Sequence, residues 1–198
     1  MAIVGNGPSL KGFDYSRLDG MHVIAVKGAM FNTPRADCGF GLDIPRYLEW
    51  QGMFNRVPFL IYWAVPKIKF AGPGPHAGQI RFLRRLDSPA LSQDPSSIYS
   101  GGSSGFGALN LAHLKRAKRI VLLGLEYNAD AAGHADTRAY IMDRTQDAGR
   151  WKEWARNFGS LKRPLDLAGV SVINAAPASR ITAFEKMDMD SALRCISL

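Results

Sequence analysis

Residues 3–10 (IVGNGPSL) join a short apolar run to a glycine-rich turn. An apolar run that leads directly into closely spaced glycines is typical of the first strand and ligand-binding loop of a nucleotide-binding α/β sheet. Glycines let backbone amides approach a phosphate or a ribose, and the Asn6 side chain both donates and accepts hydrogen bonds. We therefore predict that Gly5, Asn6, Gly7 and Ser9 contact a nucleotide; a structural turn is the alternative.

The loop differs from two common phosphate-binding motifs. The third glycine of the dinucleotide fingerprint is missing at its usual spacing, and the loop lacks the Gly-Lys-Ser/Thr of a Walker motif. The sequence therefore indicates nucleotide binding without assigning the loop to either class.

Further apolar runs alternate with segments of helical periodicity, which is the pattern of a doubly wound, mostly parallel sheet. We predict one Rossmann-like α/β domain over residues 1–198, a length that suits a single core. Residues 72–78 and 89–99 are predicted loops because they are rich in proline, glycine or serine. The other predicted elements are strands at 23–26, 37–43, 58–63, 120–124 and 170–174, and helices at 45–50, 105–117 and 150–161.

Ligands of such sheets bind beyond the carboxyl ends of the strands, which adds four residues to the predicted site. Lys27 follows the second strand and suits a phosphate, with an exposed lysine as the alternative. Asp43 follows the third strand and suits ribose hydroxyls. Glu126 and Tyr127 follow the apolar run 120–124.

Ser104 and Gly105 complete the predicted binding site, because Ser104 directly precedes the predicted helix at 105–117 and Gly105 is its first residue. A serine at this place suits a helix cap, and the amides left free at a helix start can still face an anion.

The charge of the chain favours anionic partners. Its 25 lysines and arginines against 17 aspartates and glutamates give a net charge of +8. The basic residues cluster at 81–85, 115–119 and 150–163. We expect the second cluster to cap a helix end, and the others to suit a nucleotide, nucleic acid, acidic glycan or membrane surface.

Two further expectations come from composition. Cys38 and Cys195 lie far apart without metal-ligand spacing, which predicts free thiols. No apolar run reaches the length of a membrane span and the first residues show no signal-peptide pattern, so we expect a cytoplasmic protein, with attachment at the inner membrane face as the alternative.

Several segments together resemble a known family. Residues 5–18, which contain GNGPSLK and DYSRL, are similar to the opening of the bacterial lipooligosaccharide sialyltransferases, and 103–105, 120–127, 133–134 and 174–179 follow the same family in order. The start of the chain and the Gly-Ser helix also resemble the motility-associated glycosyltransferase-like superfamily, which includes archaeal pterin pyrophosphokinases.

The resemblance implies a GT-A-type fold, a CMP-sugar donor and inverting transfer of the sugar to a hydroxyl group of a glycan or other acceptor. It implies no metal ion and no cofactor. Asn6 would contact the phosphate or ribose, and Ser104 and Gly105 would face the donor. His134 would be the general base, a role that a neutral imidazole can fill near pH 7.

The chain also departs from the family. Lys27 replaces the Asn of the family's Asn-Gln pair, and Asp43 replaces an Asn. The long lid that precedes the histidine is reduced to residues 129–133, and 138–149 are the candidate for a substitute lid.

Two other functions remain open at this point. Pyrophosphoryl transfer would need Mg²⁺, for which Asp43 and Glu126 are the candidate ligands. A non-catalytic protein that binds a nucleotide or a nucleic acid on the same scaffold is the third possibility. Residues 188–190 (DMD) match the Asp-x-Asp motif of metal-dependent glycosyltransferases, but they lie far from any predicted strand end, which favours a chance match.

Overall fold

The computed structural model describes residues 1–66, 78–127 and 148–197. The predicted base His134 and the shortened lid at 129–133 lie outside these residues. Most of the predicted lid at 138–149 and of the predicted loop at 72–78 also lies outside them.

The strands of the described residues form one nine-stranded parallel sheet in the order β6-β5-β4-β3-β2-β1-β7-β8-β9. The predicted fold class is confirmed, with a sheet that is wholly rather than mostly parallel. The strands are β1 Ala2–Val4, β2 Val23–Val26, β3 Cys38–Leu42, β4 Leu60–Val65, β5 Ile80–Leu86, β6 Ser97–Tyr99, β7 Arg119–Leu123, β8 Ser171–Asn174 and β9 Glu185–Lys186.

The order of the strands reverses between β1 and β7. The chain moves outward from β1 to β6 and then returns to place β7 on the other side of β1. At such a switch point the connections leave the two strands in opposite directions, which opens a crevice at their carboxyl ends. The fold therefore places a crevice between the loop that follows β1 and the loop that follows β7.

Helices cover both faces of the sheet. They are α1 Ile44–Trp50, α2 Ser104–Leu114, α3 Ala148–Asn157, α4 Gly159–Leu167 and α5 Met189–Ser197. On one face, Ile3 packs with Phe106 of α2 and Leu161 of α4. On the other, Val4 packs with Trp50 of α1 and Leu193 of α5. Because neighbouring residues of β1 serve opposite cores, this strand is a continuous apolar run.

Several predicted boundaries were wrong. The predicted loop at 89–99 contains β6, and β5, which includes the basic segment 81–85, was not predicted. The helix predicted at 150–161 is two helices, α3 and α4, separated at Phe158, whose N–H donates to Ala155 O at 3.4 Å, a short-range contact that tightens the end of α3. The strand predicted at 58–63 begins at Leu60. Neither β9 nor α5 was predicted.

Both cysteines are free, as predicted. Cys38 is buried in β3 and Cys195 is exposed on α5. Burial raises the pKa of the Cys38 thiol to about 11. Within the described parts of the chain, no helix has the length and apolar character that crossing a bilayer requires.

Candidate functional site

A cavity of about 390 Å³ opens at the carboxyl edge of the sheet, at the switch point. Its walls come from the loops after β1, β2, β3, β5 and β7, from the start of α2 and from α3. Its lining includes nine of the predicted binding residues, namely Gly5, Asn6, Gly7, Lys27, Asp43, Ser104, Gly105, Glu126 and Tyr127. Most of the residues that were predicted from their position after a strand or at a helix start therefore lie in one cavity.

Ser9 lies outside the lining of this cavity. Its side chain is exposed, and its backbone N–H donates a hydrogen bond to Oε1 of Glu126 at 3.1 Å. Ser9 therefore does not line the cavity, but its main chain binds Glu126, which does.

The side chain of Glu126 packs against the loop that follows β1 and accepts a hydrogen bond from it. The residue is only 4% exposed, and a Cβ atom at Gly7 would lie 1.2 Å from its Oε2. Gly7 has an ordinary extended conformation, so a glycine is needed here for space and not for backbone freedom. The N–H of Gly7 also donates to the carbonyl of Gly124 at 2.9 Å, which joins the loop to the end of β7.

The start of α2 forms part of the cavity wall. The hydroxyl of Ser103 accepts a hydrogen bond from Phe106 N and lies 2.9 Å from the hydroxyl of Tyr127. The first residues of α2, Ser104 and Gly105, line the cavity. Since the amides at a helix start are not used within the helix and carry partial positive charge, this position suits a phosphate.

Four buried side-chain atoms of the cavity lining have no hydrogen-bond partner within the described residues, and two of them, on Arg85 and Glu126, belong to charged groups. The other two belong to neutral groups. They are Nδ2 of Asn6 and Oγ of Ser104. A buried polar group without a partner is unfavourable by about 1–3 kcal/mol, and native proteins satisfy nearly all of them. A ligand or ordered water in the cavity is the natural partner for both atoms.

A chain of four alternating charges borders one end of the cavity. Nζ of Lys27 donates to Oδ2 of Asp43 at 3.0 Å, and Nη1 of Arg85 lies 3.4 Å from Oδ1 of Asp43. Nε of Arg85 lies 2.8 Å from Oδ1 of Asp87 but lacks hydrogen-bond geometry. We name these residues, Lys27, Asp43, Arg85 and Asp87, the charged arm; because its formal charges cancel, it suits hydroxyl groups better than a bare phosphate.

The cavity concentrates unusual backbone geometry. Four non-glycine residues in the described parts of the chain have positive φ, and Lys27, Asp43 and Tyr127 line the cavity. The fourth, Arg116, follows the end of α2 within the basic cluster 115–119, whose predicted place at a helix end is confirmed. Strained backbone of this kind clusters at ligand-binding sites.

Aromatic side chains border the opposite end of the cavity. The ring centroids of Tyr127 and Trp151 lie 6.0 Å apart, and those of Trp151 and Trp154 lie 5.6 Å apart. Trp154 packs on the turn before α2, since a Cβ at Gly102 would lie 2.5 Å from its Nε1. We name Tyr127, Trp151 and Trp154 the aromatic arm.

Among the charged and aromatic residues of the lining, five were not predicted as site residues, namely Arg85, Asp87, Arg150, Trp151 and Trp154. Arg85 lies in β5 and Asp87 directly follows this strand, which the charge pattern concealed. A signal for the tryptophans exists, because their spacing of three residues puts both on one face of a helix.

Carboxylates in the described residues do not form a recognisable metal site. No group of three or more His, Cys, Asp or Glu side chains that could hold a metal occurs among them. Asp188 accepts a hydrogen bond from Ser191 N at the start of α5, and Asp190 pairs with Arg17 at 2.5 Å. The DMD segment therefore has structural contacts and lies outside the cavity lining.

A second, open cavity of about 950 Å³ lies beside α3 and α4. Lys152, Arg156 and Arg180 line it together with one carboxylate, Glu153. Part of the basic cluster at 150–163 is therefore gathered on the side of α3 that the tryptophans do not occupy.

No protein-family model and no curated protein matches the chain. Among solved structures, the sialyltransferase CstII from Campylobacter jejuni, in complex with the substrate analogue CMP-3FNeuAc, is similar with a TM-score of 0.53. The similarity covers 94% of this chain and 84% of that chain, at 15% sequence identity. The chain has a glycosyltransferase-like fold. At this identity the likeness concerns the fold alone, and the chemistry of the protein depends on the residues of its own cavity.

Proposed function

We propose that this protein binds a nucleotide sugar of the CMP-sialic acid type and transfers the sugar to a hydroxyl acceptor with inversion. The observation that carries the proposal is the cavity at the switch point, where the start of α2 and the loops after β1, β2, β3 and β7 meet. The fold shared with a sialyltransferase supports the choice of donor.

The residues of the cavity suit the parts of such a donor. The amides of Ser104 and Gly105 would hold the phosphate at the start of α2. The carboxylate of Asp43 would accept hydrogen bonds from ribose hydroxyls, as acids at this place in a Rossmann sheet do. Nδ2 of Asn6 and Oγ of Ser104 would then gain the partners that they lack.

Transfer requires an acceptor hydroxyl that attacks the anomeric carbon from the face opposite the phosphate. The new carbon–oxygen bond forms as the bond to the phosphate oxygen breaks, CMP leaves with the electron pair, and a base takes the hydroxyl proton. We propose His134 as this base, on the strength of the sequence resemblance. Positioned acid–base groups of this kind contribute about 10²–10⁴-fold to rate.

The charged arm bears on the choice between sugar transfer and Mg²⁺-dependent pyrophosphoryl transfer. Both oxygens of Asp43 face cations, Lys27 on one and Arg85 on the other. These cations offset the negative charge that would attract Mg²⁺. We therefore propose transfer without a metal ion and without a resident cofactor.

The experiment is a thermal-shift panel of CMP, UDP, GDP, ATP and CMP-sialic acid, each with and without Mg²⁺. We expect CMP and CMP-sialic acid to raise the melting temperature without Mg²⁺. At 100-fold above the dissociation constant, the free energy of unfolding rises by about 2.7 kcal/mol. The variant Asn6→Ala/Ser104→Ala should lose most of the shift.

Ser171→Ala is the matched control, because this exposed serine lies at the other end of the sheet. It should keep the full shift. A shift only with ATP and Mg²⁺ would replace the proposal by pyrophosphoryl transfer, and no shift with any nucleotide at millimolar concentration would remove the nucleotide site.

A further inference from the structure

The cavity has two chemically different ends with the start of α2 between them. The charged arm lies at the carboxyl ends of β2, β3 and β5, on one side of β1, whereas Tyr127 follows β7, on the other side. Ser100 donates to Asp87 at 3.2 Å, and Gly102 contacts Trp154, so the turn before α2 touches both ends. A ligand whose phosphate lies at the start of α2 therefore has one part in each arm.

We infer that the aromatic arm is the subsite for an acidic saccharide, stacked on Trp151 and Trp154 and paired through its carboxylate with Arg150. The inference rests on the proposed function, and it assigns the sugar-contacting residues. Since Asp43 suits the ribose, the nucleoside takes the charged arm, and the group on the other side of the phosphate takes the aromatic arm.

The chemistry of the aromatic arm fits a saccharide. One face of a pyranose ring presents C–H groups, which pack well against the electron-rich face of an indole. Both tryptophans are partly buried rather than enclosed, and they line the cavity. Large aromatic walls also keep water from a reactive donor.

Arg150 supplies the charge for an acidic sugar. It lines the cavity one residue before Trp151, is exposed, and forms no ion pair within the described parts of the chain. Lys27 and Arg85, by contrast, are already paired with the carboxylate of Asp43. Among the described cations of the lining, Arg150 is therefore the one whose charge remains for a ligand carboxylate.

The first test uses the wild-type protein and its intrinsic fluorescence. Trp50 and Trp63 are buried in the core on the α1 side, at 4% and 0% exposure, so acrylamide reports mainly on Trp151 and Trp154. We expect saturating CMP-3-fluoro-sialic acid to protect the emission from acrylamide, and saturating CMP to protect it much less.

The second test compares the affinities of CMP and CMP-3-fluoro-sialic acid by calorimetry. In Trp151→Ala, Trp154→Ala and Arg150→Met, the advantage of the sugar nucleotide over CMP should fall by about two- to tenfold, while CMP affinity stays unchanged. Trp151→Phe should keep most of the advantage, because it retains an aromatic face. Lys152→Ala is the control on the opposite side of α3 and should change neither affinity.

The outcomes separate this inference from the proposed function. If CMP does not bind at all, the proposed function fails and the inference fails with it. If CMP binds but the sugar adds no affinity and leaves the tryptophans open to acrylamide, the nucleotide site stands and the sugar subsite is overturned. Loss of CMP affinity in the folded tryptophan variants would also overturn it, because it would place the nucleoside in the aromatic arm.

Discussion

Nζ of Lys27 lies 3.0 Å from Oδ2 of Asp43, and both residues have positive φ where neighbouring strands end, 52° for Lys27 and 78° for Asp43. Two adjacent strands thus end in a backbone conformation that L-residues rarely adopt, and their side chains pair across the gap. Such strain persists because the surrounding sheet fixes the chain on both sides.

The first prediction separates the backbone of Asp43 from its carboxylate. Asp43→Ala and Asp43→Gly both remove the ribose acceptor, so each should weaken nucleotide binding by about 2–12-fold, the equivalent of 0.5–1.5 kcal/mol. Asp43→Gly should be more stable than Asp43→Ala by about 1 kcal/mol, because glycine adopts positive φ freely. Urea denaturation and calorimetry check the two effects; equal nucleotide affinity in all three proteins would refute the ribose contact.

The second prediction concerns the contact between Gly7 and Glu126. Gly7→Ala should destabilise the protein by about 1–3 kcal/mol, because the new methyl group would overlap the carboxylate. Adding Glu126→Ala should recover part of that loss, since it empties the space that the methyl needs. A double-mutant cycle in urea measures the coupling, which should exceed about 0.5 kcal/mol; additive effects would contradict the described packing.

The third prediction is a divergence between stability and binding. Ser104→Ala removes a buried hydroxyl that has no partner among residues 1–66, 78–127 and 148–197, so the free energy of unfolding without ligand should stay equal or rise. The same change should weaken CMP binding by about 2–12-fold if the hydroxyl contacts the ligand. Thermal melts with and without CMP make the comparison, and a loss of stability without ligand would indicate a structural hydroxyl instead.

The fourth prediction concerns the proposed base. His134→Ala should lower turnover by about 10²–10⁴-fold with little change in CMP affinity. The pH–rate profile of the wild type should fall on its acidic side, where the imidazole is protonated, and the variant should lack that limb. Full activity in the variant would exclude His134 as the base.

The fifth prediction uses the raised pKa of Cys38, about 11 in the folded protein. A thiol that keeps its proton more tightly when folded stabilises the protein below its unfolded pKa of about 9, and this contribution is lost as the pH rises towards 11. At pH 8 Ellman's reagent should therefore react with Cys195 alone, and with both thiols after denaturation. Two fast thiols in the native protein would contradict the burial of Cys38.

The central strands could be predicted because each one is a short apolar run that is visible in the local sequence. β2 was predicted at its observed bounds, and β7 was found because a short, continuous apolar run is typical of a parallel strand that is buried on both faces. The carboxyl-end rule then placed Lys27, Asp43 and Glu126 in one cavity without knowledge of the strand order.

The outer strands β5 and β6 could not be predicted from their sequence patterns. In β5, Leu83 packs on the α2 side, Phe82 packs on the α1 side, and Arg85 enters the cavity, so apolar and charged residues do not alternate simply. β6 has three residues in a serine- and proline-rich segment, which gives periodicity no room to appear. The tryptophans of α3 were missed because their role depends on Tyr127 and Gly102, which are distant in sequence.

The hydrogen bond from Ser9 to Glu126 spans 117 positions of the chain, and it has a consequence for synthesis on the ribosome. Until β7 has emerged from the ribosome, the edge of β1 that pairs with β7 is unpaired. The glycine-rich loop also lacks its hydrogen bonds to Gly124 and Glu126. Long-range parallel pairing of this kind is slow, and an exposed strand edge invites association with other chains. We therefore expect nascent chains that stop before residue 119 to aggregate or to depend on chaperones, and ligand binding to begin only once the second half has been translated.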